Sequence, residues 1–61
     1  MNTYFVVDWS DKCVLYAGPL DACEAVQDTQ YGGLFVLGWE DLDGELQEDA
    51  KSRFAEKVAG L

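Results

Sequence analysis

The sequence predicts an α+β domain of two layers, a three-stranded antiparallel sheet with two helices on one face, in the chain order ββαβα. Two runs rich in β-branched and aromatic residues, 3–9 and 13–17, flank the turn formers Ser10, Asp11 and Lys12, which is the composition of a β-hairpin. A third such run, 34–39, follows Gly32 and Gly33. Leu46, Ala50, Phe54 and Val58 recur every four positions, the stripe of a helix laid on a sheet. At 61 residues the chain is one domain, 1–61, and such a domain buries only about 60% of the surface its unfolded chain exposes. Its 49% apolar content and eight aromatics still exceed those of a disordered acidic tail, which lacks the side chains to offset ordering entropy.

Along the chain, Asp8 marks the solvent side of strand one, so alternation turns Phe5, Val7 and Trp9 inward. Gly18-Pro19 breaks strand two. Asp21 with Glu24 three residues later reads as a capping box, with Leu20 as its staple, for a helix running to about Thr29 and closed by Gly32-Gly33. In strand three Phe35, Leu37 and Trp39 point inward, because Gly38 and Glu40 fall on the other face. Asp43 is placed to cap the last helix, 45–59, where Asp49 to Arg53 and Gln47 to Lys51 are supportive i,i+4 pairs. Strand two can face either way. With Cys13 and Leu15 inside, the outer face displays Tyr4, Val6, Val14, Tyr16, Leu34 and Val36. So apolar a face points to a homodimer or a partner surface, with Tyr4, Val6, Tyr16 and Val36 as its contacts, unless the C-terminal residues or a connector fold over it.

Cys13 and Cys23 are too few for a disulfide scaffold. They read as free thiols in a reducing cytoplasm, although a bridge between them would close only a short loop. No apolar run is long enough to span a membrane and no signal-peptide pattern opens the chain, so the expected location is cytoplasmic.

The chain has no histidine, the commonest general base and metal ligand, so Ser10, Ser52, Cys13 and Cys23 have no obvious activator. The expectation is no enzyme, no catalytic residue and no cofactor. A calcium loop fails on register: with Gly44 at position six, Trp39 and Ala50 occupy positions one and twelve, where carboxylates are required. No metal site is expected.

What remains is charge. Residues 1–50 hold eleven of the twelve carboxylates beside a single base, Lys12, for a formal −10, and 51–61 return +2. Such a field steers a protein toward cationic partners and away from nucleic acid and anionic membrane. Asp21, Glu24, Glu45 and Glu48 fall in first helical turns, where the helix dipole favours them. Asp28 does not; it sits at a helix end that disfavours acids and completes an Asp21/Glu24/Asp28 row at spacings three and four. The row spans about 10 Å, a scale comparable to phosphates rising about 3.4 Å per nucleotide along a DNA strand. Glu40, Asp41, Asp43, Glu45, Glu48 and Asp49 are a candidate second row.

On these acids, the compact ββαβα pattern and the missing catalytic groups, the chain resembles as a class the small acidic inhibitors of bacteriophages and mobile elements, the anti-CRISPR proteins and other DNA mimics. No family motif is matched residue by residue. The resemblance implies a stoichiometric inhibitor in a host-cell cytoplasm that blocks DNA binding by an effector complex. Its partner is then a basic protein surface, met by the nine acids of the two rows, with no direct binding to nucleic acid or membrane. The alternative is a small interaction or dimerisation module using the outer sheet face.

Overall fold

The computed structural model describes residues 3–29 and 33–61. Strands β1 (Tyr4–Asp8) and β2 (Cys13–Gly18) form the hairpin. Its turn is held by the Asp8 carboxylate, which accepts the Ser10 and Asp11 N–H groups at 3.0 and 3.2 Å, a short-range bond that Asp makes readily. Lys12 completes the reversal at φ 54°. Strand β3 (Leu34–Gly38) pairs antiparallel with the other edge of β1, so the sheet order is β2-β1-β3. Both outer strands oppose β1 and therefore run parallel to each other. Helix α1 (Leu20–Asp28) must cross the sheet to join them.

The α+β class and the three-stranded antiparallel sheet are as expected; the placement of both helices on one face is not. Phe5, Val7, Val14 and Ala17 pack with Leu42, Leu46 and Ala50 in a core that contains no residue of α1. Val6, pointing the opposite way between Phe5 and Val7, is 0% exposed, as is Cys23 of α1. The Cys23 thiol donates to the carbonyls of Tyr4 and Gly18 at 3.4 and 3.6 Å. Helix α1 thus covers the second face, and the layers run α1, sheet, α2. The reason is visible in β1 itself, whose Phe5-Val6-Val7 leaves neither face polar enough to stay wet; one helix per face buries both.

Strand β2 resolves its ambiguity with a β-bulge. Val6 opposes Tyr16 but Val7 opposes Val14, so Leu15 is an extra residue, left 42% exposed. The bulge lets Val14 and Ala17 both face the α2 core while Tyr16 faces α1, which strict alternation forbids. Val14 is therefore core, not outer face. Trp9 and Phe35, expected inside, are each 48% exposed, since they lie beyond the edge of the helix that covers Phe5 and Val7. Leu37 and Trp39 do pack against the core.

Helix α1 begins behind Pro19, which occupies the cap position without a side-chain bond, so Asp21 lies within the first turn rather than capping it. The helix closes at Thr29, whose hydroxyl and N–H both donate to the Val26 carbonyl at 2.7 and 3.2 Å. It has ended before the expected Gly32-Gly33 stop, of which Gly32 lies outside the described residues.

A 3₁₀ turn (Trp39–Asp41) leads to α2 (Gly44–Arg53). Asp43 caps α2 as expected, its carboxylate accepting the Leu46 N–H at 2.9 Å. The predicted single helix 45–59 breaks at Phe54 (φ −131°, ψ 49°), after which α3 (Ala55–Ala59) continues. An apolar repeat of four advances about 40° per step on a helix of 3.6 residues per turn, so on a straight helix Val58 would sit about 120° from Leu46. Re-aiming the chain at Phe54 returns Phe54 and Val58 to the core, where both are half-buried. Among the described residues no helix is long and apolar enough to cross a membrane.

Candidate interaction surface

The register of β1 places two glycines across from Tyr4, Gly18 on one side and Gly38 on the other. Helix α1 starts just after Gly18, and the 3₁₀ turn with Glu40 and Asp41 starts just after Gly38. Asp21, Glu40 and Asp41 therefore share one end of the sheet. Lys12 stands at the other, with the hairpin turn.

The Asp21/Glu24/Asp28 row exists as predicted. Cys23 faces the sheet with Val26 and Gln27 half-buried beside it, and the three acids lie exposed on the far side of the helix. The N-terminal shift of α1 puts only Asp21 in its first turn, and no base stands in its last. Glu24 thus loses the dipole support that its position first suggested, and Asp28 keeps an unfavourable one. Among the described residues none of the three is in an ion pair.

The second group of acids divides. Asp43, besides capping α2, receives the Lys12 ammonium at 2.8 Å; that bond and the Leu46 N–H hold its carboxyl below the usual range. Asp49 accepts the Val14 N–H at 2.7 Å and the Arg53 guanidinium at 3.0 Å, and the Val14 bond is the main reason its carboxyl is lowered. Glu48 pairs with Lys51 at 3.5 Å, where a Gln47–Lys51 contact was expected. Asp43 and Asp49 hold the fold together. Glu40, Asp41 and Glu45 remain exposed and outside any ion pair among the described residues.

The apolar alternative fares differently from the acids. Val6 is fully buried under α1 and is withdrawn from any partner face, while Tyr4, Tyr16 and Val36 are only half-exposed. The exposed aromatic surface lies elsewhere: Trp9 and Phe35 meet edge to face at 6.1 Å, with the Lys12 ammonium 4.1 Å from the Trp9 ring centre. Sequence alternation assigned both rings to the core and so missed this pair.

The thiols are free. Cys23 lies beside Tyr4 and Cys13 opposite Asp8, four residues apart along β1 or about 13 Å, well beyond bridging distance. Burial raises both thiols above their ordinary pKa, so they stay protonated and weakly nucleophilic at neutral pH. No family model, curated protein or solved structure matches this chain.

Proposed function

We propose that the chain is a stoichiometric inhibitor of a nucleic-acid-binding protein, entering a basic groove as an acidic DNA mimic in the manner of the anti-CRISPR class it resembles. One observation carries the proposal: the charges are segregated. Every ion pair among the described residues joins the hairpin turn to α2 or lies within α2, on the opposite side of the sheet from α1. The α1 side keeps its acids unneutralised on a rigid helix. A purely solubilising surface has no need of that separation, whereas a Lys/Arg groove that has evolved for phosphates is complementary to it.

The test is competition. Stoichiometric amounts of the protein should release labelled duplex DNA from a guide-loaded CRISPR effector complex, without the protein binding the duplex itself, and release should weaken steeply as salt rises. An effector that keeps its duplex, or release unchanged between low and moderate salt, stands against mimicry.

A protein-interaction module is the second reading, and it moves from the covered sheet face to Trp9 and Phe35. Their exposure favours it. Binding there should hold or tighten with salt and fall on Trp9→Ser.

A further inference from the structure

The two glycines flanking Tyr4 are treated differently by the fold. A Cβ on Gly18 would stand 2.9 Å from Cε2 of Tyr16; the tyrosine ring already covers that bare strand position, as aromatic side chains do for sheet glycines. A Cβ on Gly38 would meet only the Asp41 carboxylate, at 3.9 Å. That uncovered backbone belongs to an open cleft of about 490 Å³, lined by Tyr4, Gly38, Trp39, Glu40 and Asp41 among others. Trp39 is anchored from behind by Phe5, ring centres 5.9 Å apart, and the Gln47 amide donates to its carbonyl at 3.1 Å. The cleft walls are thus fixed by the core. At this strand end the space over Gly38 is left open to an approaching group, and no described base neutralises Glu40 or Asp41.

We infer that this cleft is a seat for one cationic side chain of a basic partner, a guanidinium or ammonium group held by the Glu40 and Asp41 carboxylates beside the rings of Tyr4 and Trp39. Aromatic rings and carboxylates together favour a flat, weakly hydrated cation, so arginine fits better than lysine. The inference rests on the partner being basic, as proposed above, and adds an anchoring point at the sheet end where α1 begins. An alkyl stem over Gly38 and a charged head at Asp41 would account for both the missing side chain and the two acids that no described base pairs.

The experiment uses the isotope-labelled protein and N-acetylargininamide as the probe, with sodium chloride at matched ionic strength as the reference. Saturable shifts of the Gly38 amide and the Trp39 indole resonance are expected with the arginine probe and not with salt. Glu40→Gln/Asp41→Asn should weaken that binding about fivefold. Gly38→Val should abolish it with the melting temperature kept or raised, and Gly38→Ala, whose Cβ has open space, should reduce it if the valine variant does not fold. Glu24→Gln/Asp28→Asn should leave it unchanged. Shifts that do not saturate, that spread equally over α1, or that survive filling of Gly38 overturn the inference. Because no effector is present, failure here leaves DNA competition through α1 standing. Saturable arginine binding without DNA competition would instead leave the cleft standing and remove mimicry.

Discussion

The two sides of the sheet use the same residue type for opposite purposes. On the α2 side, two carboxylates are consumed by the fold, while Glu45 stays exposed: Asp43 caps a helix and clamps Lys12, and Asp49 accepts from the backbone of β2 and from Arg53. On the α1 side, the carboxylates of Asp21, Glu24 and Asp28 form no ion pair among the described residues, and the helix end at Asp28 carries no base. Acid count alone is therefore a poor guide to function. What separates a structural carboxylate from an available one is whether a donor from elsewhere in the chain has already claimed it.

The largest expected effect tests the asymmetry of the cores. Leu46 is fully buried beneath α2, and Leu46→Ala should destabilise by about 3–4 kcal/mol, a large part of what so small a domain has. Phe54→Ala, at the half-buried helix break, should cost about 2 kcal/mol. Across the sheet, Cys23→Ala removes one small buried side chain and should cost about 1 kcal/mol. Denaturant melts that rank Cys23→Ala above Leu46→Ala would invert the comparison.

The next effect separates the two kinds of acid. Asp49→Ala strands the N–H of buried Val14 and should cost about 2 kcal/mol. Asp28→Asn relieves a carboxylate at the wrong helix end and should leave the melting temperature unchanged or slightly higher. Equal losses from both would mean that α1 acids also support the fold.

Acid titration sharpens the same contrast. Asp43 and Asp49 are held below the ordinary carboxylate range in the fold, so the stability they supply is present above the unfolded value of about 3.9 and is lost as pH falls through their lowered folded values. Melting temperatures taken stepwise below about pH 4 should fall, and should fall less steeply in Asp49→Ala. An unchanged slope in that variant would show that the Val14 bond does not govern the acid limb.

What could be read from the sequence was local. The hairpin, the Asp43 cap and the row at 21, 24 and 28 all rest on neighbours within a few residues, and all are present. The misreadings are long-range. Which face α1 covers depends on β3 pairing with the far edge of β1, and the facing of β2 depends on a bulge at Leu15 that no single residue type announces. The break at Phe54 follows from drift of the very stripe that predicted the helix. In the acidic groups, the Asp43 cap and the Asp49–Arg53 pair were legible from spacing, but the long-range partners Lys12 of Asp43 and the Val14 N–H of Asp49 lie 31 and 35 residues away, beyond the reach of spacing arguments. The cleft at Gly38 did leave a signal, since two glycines at strand ends, Gly18 and Gly38, each invite the question of what covers them.

The most direct test of the two-sided charge arrangement matches variants of equal charge on opposite sides. Glu24→Gln/Asp28→Asn on α1 and Glu45→Gln/Glu48→Gln on α2 each remove two negative charges, so long-range attraction changes by the same amount. Their affinities for the DNA-binding effector, measured by competition against labelled duplex at low and moderate salt, should differ: about tenfold weaker for the α1 pair and within about twofold of the parent for the α2 pair. Equal weakening by both would show that only net charge matters, and no weakening by the α1 pair would remove α1 as the binding side.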